Sequence, residues 1–414
     1  MNATGEITPK SLAVAMSALI GTCFSGVTFA SVCISVFLIQ IASDYDWSRA
    51  SIGGAVAVLR VGMALGAPVF GQIIDRHGAR AVLLPMTAAS GILLITISFM
   101  GSSLILFYLA HFLLGLCQPG AVAYSKLLST WFFRHRGIAL TTLGFGTFAA
   151  KFAVPPIAGE LGTMFGWHGA YRALALIELF VALPILIAFF RERKVTDSVT
   201  AVVEIREIRP DGAPRIGMRQ AAASSTFWLL VGAEAAIFFA FMAISTHAVG
   251  ILTERGISNA LAIWGLSIFA AGGLLAQVAS GLLLDRFDTP RVPVPFSILA
   301  LASILLLHFA QNEILVLTSL FLFGLGSGAL TSTTSYFTSR YFGVRNFSTI
   351  YGLLFPTFLL LSAPAPIILG AIYDYTGSYD IGLMVIGGVI LIGLYCLWRL
   401  KPYPYPDKTL SAGA

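Results

Sequence analysis

The chain alternates long apolar runs with short polar breaks, with little of the one-sided apolar striping of a soluble helix. A helix needs roughly 20 mostly apolar residues to cross a hydrocarbon core about 30 Å thick. About twelve runs reach or approach that length, at 12–40, 49–74, 81–100, 104–132, 137–164, 168–190, 226–252, 258–284, 292–310, 314–341, 346–373 and 381–400. The first is too long for a secretory signal and eleven more follow it, so it is expected to be a retained helix. Only one polar stretch is long, 191–225, with RERK and EIREIRPDGAPR. It reads as a solvated charge run tethering two bodies, and its 215–225 end has the make-up of a surface helix. The predicted fold is all-α and polytopic: a six-helix half over 1–190, a cytoplasmic linker over 191–225, a second six-helix half over 226–400 and a cytoplasmic tail over 401–414.

The two halves repeat each other. GQIIDRHGAR from Gly71 and GLLLDRFDTPR from Gly281 stand 210 residues apart, each closing an apolar run. The same offset pairs Trp131-Phe132 with Tyr341-Phe342, Thr147-Phe148 with Thr357-Phe358, and Pro156 with Pro366. Many secondary transporters are duplicated in this way, with the substrate site between the halves.

Composition agrees with the pattern: 57% apolar residues, 11% charged and a mean hydropathy of +0.87 belong in a bilayer. Arg76, Arg80, Arg134, Arg136, Arg286, Arg291, Arg340 and Arg345 fall on one side with the linker and the tail cations Arg399, Lys401 and Lys408. Arg49, Arg172 and Arg255 fall on the other. Cytoplasmic loops collect Lys and Arg, so both termini are predicted cytoplasmic in a multi-pass plasma (inner) membrane protein. The net charge of +6 reflects this asymmetry and calls for no nucleic-acid partner. Cys23, Cys33, Cys117 and Cys396 lie in predicted spans without metal-ligand spacing. No nucleotide loop, metal cluster or nucleophile constellation is recognisable, so neither a cofactor nor enzymatic catalysis is expected.

Charge inside a bilayer is costly, about 2.5 to 3.5 kcal/mol for a central Arg or Lys on insertion scales. Arg60 in the second run and Lys151 in the fifth each lie 15 residues from a cytoplasmic anchor, roughly 22 Å along a helix. They are predicted at one depth near the midplane, and their repeat mates are Ala270 and Leu361, so the scaffold itself demands no cation there. Two cations at one depth repel unless an anion sits between them; an anionic substrate supplies it, and buried carboxylates or helix-end carbonyls are the structural alternative. Glu178 and Glu234 are the acids deep in spans, with Glu234 the first candidate for proton coupling and His111 and His247 next. Gln118, Tyr124 and Tyr351 are further substrate-binding candidates. Lys126 is close enough to the cytoplasmic surface to snorkel. The run Thr331 to Ser335 either lines a cavity or bonds back to its own helix. Glycines in the spans, Gly62, Gly272 and Gly324 among them, suit close helix packing, and Pro155-Pro156 and Pro364 with Pro366 are expected to bend their helices.

The loop at Gly71, Asp75, Arg76, Gly78 and Arg80 resembles the Gly-x-x-x-Asp-Arg-x-Gly-x-Arg hallmark of the major facilitator superfamily. WFFRHRGIALTTLGFGTFAA from Trp131 looks like the signature of its monocarboxylate transporter and oxalate/formate exchanger group, and RYFGVRNFSTIYGLL and AIYDYTGSY are similar to bacterial members. The resemblance implies a central cavity bordered by helices 2 and 5, with helix 6 and its Glu178 at the periphery. It implies gating by Asp75, Arg76 and Arg80 in one half and Asp285, Arg286 and Arg291 in the other: a carboxylate at the positive start of a helix, with arginines bonding across the seam. Asp288 replaces the usual glycine in the second copy. Where members of the group commonly carry a helix-8 arginine this chain has Gln277, with Gly273 where an aspartate is frequent; Gln277 can hydrogen-bond a carboxylate but brings no charge.

The expected function is secondary active transport of a small organic anion, a carboxylate foremost, by alternating access about a midplane site with proton coupling. The partners are the anion, a proton or counter-anion, and the bilayer. Anion exchange and efflux of an apolar or amphipathic compound stay open, as does a non-transporting membrane sensor.

Overall fold

The computed structural model describes residues 8–132, 136–192, 218–287, 289–342 and 347–404. Arg134, most of the linker, Asp288, Arg345 and Lys408 lie outside the described residues, as do the side chains of Asp75, Arg136 and Asp285. The helices are α1 Pro9–Cys23, α2 Gly26–Tyr45, α3 Arg49–His77, α4 Ala79–Ser98, α5 Leu104–Leu116, α6 Gly120–Trp131 and α7 Arg136–Ile177. A π-helical turn, Glu178–Ala182, leads into α8 Leu183–Phe189. The second half holds α9 Met218–Ala222, α10 Ser225–Glu254, α11 Asn259–Arg286, α12 Pro293–Phe309, α13 Glu313–Ser327, α14 Leu330–Phe342, α15 Phe347–Ser362, α16 Ala365–Thr376 and α17 Asp380–Arg399.

Among the described residues eight helical stretches are long and apolar enough to cross a bilayer, and three shorter apolar helices accompany them. The stretch Thr142–Phe189 contains two spans, because Gly166 at φ 68° turns the chain between 164 and 168. The total is the twelve expected, in an all-α polytopic fold of two six-helix halves. Side-chain caps mark several span starts: Ser103, Ser224, Ser258 and Asn312 accept the N–H of Leu106, Phe227, Leu261 and Leu315, satisfying donors that a helix start otherwise leaves unbonded. Ile105 is 79% exposed and Ile314 77%, which suits side chains solvated by lipid tails rather than water.

Among the described residues four spans are broken helices. Span 1 parts at Phe24-Ser25, span 4 at Cys117 to Pro119, span 10 at Gly328-Ala329 and span 11 at Ala363-Pro364. Pro364 stands at the break in span 11, whereas α7 runs through Pro155-Pro156 without a break. Such prolines are tolerated in a bilayer when neighbouring groups satisfy the freed backbone.

By contact the chain forms two units, one of 1–33 with 58–212 and one of 34–57 with 213–414. This departs from the sequence division at 34–57, the end of span 1 and start of span 2. In the first unit α3 and α5 touch backbone to backbone: a Cβ on Gly62 would lie 2.3 Å from the Phe112 carbonyl, and one on Gly115 2.1 Å from that of Leu59. The second unit repeats the seam with α11 and α13, where a Cβ on Gly272 would meet the Phe321 carbonyl at 2.2 Å and one on Gly324 that of Phe269 at 2.0 Å. Each unit has an apolar core at its motif-loop end, around Leu127, Phe132 and Leu186 in one and Phe337, Phe342 and Leu354 in the other. Leu127 and Phe132 stand 210 residues before Phe337 and Phe342, so the repeat in sequence is a repeat in packing.

Candidate functional site

Arg60 sits mid-way along α3, half-buried. Its Nη1 lies 3.3 Å from the Met63 sulfur, a weak acceptor, and its buried Nε has no partner. Lys151, half-buried on α7, lies close enough for the two charges to act on each other. Its Nζ is 5.9 Å from the centre of the Phe148 ring. Both belong to the first unit. The two acids singled out as possible partners are bonded elsewhere. Glu178 is bonded to Gly26 and Ser90, and Glu234 to Thr333 and Thr334.

The other candidates are placed differently from one another. Tyr124 is buried in the first unit's core, so close over Gly21 that a Cβ there would lie 2.0 Å from its hydroxyl; it is a packing residue here rather than a cavity residue. Gln118, at the break in span 4, donates to the Ser25 hydroxyl at the break in span 1, 2.9 Å away, and so ties two helix interruptions together. Lys126 donates to the Ile74 carbonyl at 3.0 Å, near the negative, motif-loop end of α3. His111 is held by the Phe107 carbonyl of its own helix at 2.8 Å, the packed histidine that structure most often makes. In the second unit, Tyr351 stacks on Phe355 at 5.8 Å, and the buried Oε1 of Gln277 has no partner. Glu234 borders a cavity of ≈ 20 Å³ with Phe296, Ser297 and Thr333, room for one water and not for an organic anion.

His247 belongs to a network at the helix ends opposite the motif loops. Asp374 accepts the N–H groups of Arg49 and Ala50 at 3.0 and 2.9 Å, capping the positive start of α3. The Arg49 guanidinium lies 3.6 Å over the Tyr373 ring and donates to the Tyr379 hydroxyl at 2.7 Å. His247 is held between that hydroxyl at 3.0 Å and the Pro366 carbonyl at 2.9 Å. Glu254 accepts the Tyr379 N–H at 3.1 Å, and Asp380 pairs with Arg255. Burial holds the Tyr379 phenol above its ordinary range, which keeps its proton on. Sequence reading passed over Arg49 as a topology charge and Asp374 altogether; a carboxylate in the AIYDYTGSY phrase was the available signal.

At the motif loops, Arg80 donates to the carbonyls of Phe190 and Ile187 at 2.7 and 2.6 Å. Both bonds lie within its own unit, at the end of α8. Glu192, which sequence reading did not single out, accepts the Ala79 N–H at the start of α4. Arg76 and Arg286 are exposed, Arg286 near the Phe287 ring. Arg291, also exposed, donates its backbone N–H to the Thr289 hydroxyl at 3.3 Å.

The family model described as Major Facilitator Superfamily matches residues 18–250 and again 231–414. The chain belongs to the major facilitator superfamily. Among its superfamily relatives, a protein of Bacillus subtilis named "Probable galactarate/D-glucarate transporter" is 25% identical over 84% of this chain and 83% of its own. Human monocarboxylate transporter 2 is 23% identical over 86% and 79%. The fold matches that of a bacterial homolog of the human lysosomal transporter Spinster, solved inward-facing and occupied, with a TM-score of 0.74 at 14% identity over 97% of this chain and 100% of that one. The superfamily places this membrane-embedded chain among transporters of small molecules, and organic-anion carriers stand among its relatives.

Proposed function

We propose that this protein moves a small organic anion, a carboxylate foremost, by proton-coupled alternating access. The observation that carries the reading is Arg60: a guanidinium deep in a membrane helix whose bonding is met by one thioether, within electrostatic reach of Lys151. A carboxylate would take the Arg60 fork and neutralise both charges, which repays the cost of placing them there. Relatives named as galactarate/D-glucarate and monocarboxylate transporters support the same substrate class. In this reading the protein lies in the inner membrane with both termini cytoplasmic, and the Asp75 and Asp285 loops gate the cytoplasmic side.

Thermal shift and proteoliposome uptake across mono-, di- and aromatic carboxylates, at two pH values, test the reading. Arg60→Gln and Lys151→Gln should each give a folded, inserted protein that no longer binds the anion responsible. Binding at wild-type affinity by both variants would sink the two-cation site.

A further inference from the structure

Glu178 takes no part in the anion site, and its surroundings do not suit a permanent charge. The residue is 1% exposed and opens the π-helical turn Glu178–Ala182; such turns recur at functional sites, where the extra residue re-aims side chains. Its Oε1 accepts the Gly26 N–H at 3.0 Å and the Ser90 hydroxyl. Gly26 is the first residue of α2, so the carboxyl sits on the positive start of the second segment of the broken span 1. The fit is close: a Cβ at position 26 would lie 2.7 Å from Oε2. That oxygen, though buried, has no partner. Cys117 and Tyr124 are the titratable groups near enough to feel its charge. Among the described residues no lysine, arginine or histidine pairs with it.

A carboxylate serving only as a cap would need both buried oxygens satisfied, since an unpartnered anionic oxygen out of water is costly. A neutral acid fits the same atoms with less strain: Oε1 keeps both accepted bonds and Oε2 carries the proton. Losing that proton leaves an anion that can draw on the nearest positive charge available, the start of α2. This helix begins in the first unit, and from Ile34 onward it belongs to the second. The charge on Glu178 therefore bears on the element that leads from one unit into the other.

Building on the proton-coupled reading above, we propose that Glu178 is the group that binds the transported proton, on Oε2, and that releasing it tightens the hold on the start of α2. Glu178→Gln mimics the protonated acid, with an amide NH2 in place of the Oε2 hydroxyl. In proteoliposomes the wild type should accumulate substrate under an inward proton gradient and exchange internal for external substrate. Glu178→Gln should keep exchange and fall to the passive level in accumulation. A variant that still accumulates like the wild type overturns the proposal, as does loss of coupling in Glu234→Gln with Glu178→Gln unaffected. Wild-type protein that ignores the gradient removes the proton-coupled reading itself, before any variant is compared. Should Glu178→Gln fail to fold, infrared difference spectra of the wild type on a pH step decide: a buried carboxyl band whose frequency moves in Ser90→Ala supports the assignment, and one unmoved by Ser90→Ala refutes it.

Discussion

At the scale of residues, the membrane sorts side chains by what their charge costs. Arg60 and Lys151 stand out in the sequence because they lie deep in their runs, whereas Arg49 and Glu160 lie near the ends of theirs, and the structure leaves Arg60 with one weak neighbour. The guanidinium fork matters as well as its charge, because Lys offers a point charge where Arg offers two parallel donors. Arg60→Lys should therefore weaken anion binding about tenfold, about 1.4 kcal/mol, with Arg60→Glu worse because repulsion adds to the lost attraction. Calorimetric titration in detergent measures both; wild-type affinity in Arg60→Lys would show that the fork is not used. Glu178 was legible as a buried acid, but not its bonds. Its partners, Gly26 and Ser90, lie 152 and 88 residues away in sequence, and no local pattern links them.

At the scale of elements, the spans were legible because bilayer thickness imposes their length, and the repeat because it preserves motif residues at one offset. The breaks were only partly legible. Pro119 and Pro364 sit at two of them, whereas Phe24-Ser25 carries no breaker and Pro155-Pro156 breaks nothing. What holds a transmembrane helix together or lets it part is the neighbouring backbone, which sequence does not display. The glycine seams illustrate this. Gly115→Ala and Gly324→Ala would each push a methyl into a carbonyl of the facing helix, at 2.1 and 2.0 Å before relaxation, and backbone cannot step aside cheaply. Overpacking of this kind costs about 1 to 3 kcal/mol. Gly352, with nothing within 4 Å of its Cβ position, is the control; Gly352→Ala should be neutral or gain up to about 1 kcal/mol of helix propensity. Melting temperatures in detergent separate the cases, and equal behaviour at all three positions would refute the seam argument.

At the scale of the whole molecule, α3 carries the Asp75 motif near one end and is capped by Asp374 at the other. The Asp75 end was legible as a motif. The Asp374 end was not, because Arg49 and Asp374 are 325 residues apart and belong to different halves of the repeat. A transporter that opens alternately must make and break closures at both faces, and a carboxylate on a helix start is a closure of modest strength. Asp374 is exposed, so its interaction with the start of α3 is worth about 0.3 to 1 kcal/mol, a factor of about 2 to 5 in population. Asp374→Asn should shift the molecule by that factor toward forms open on the face away from the motif loops, without loss of substrate binding. Asp75→Asn should shift it the other way, and the double variant should return part of the way to wild type. Spin labels at the exposed positions Ser102 and Asn259, each at the end of its own unit away from the motif loop, report the change as a distance distribution: longer for Asp374→Asn, shorter for Asp75→Asn. If Asp374→Asn leaves the distribution and the transport rate as in the wild type, the cap is a local helix start and the closure on that face rests on Arg49 and the two tyrosines alone.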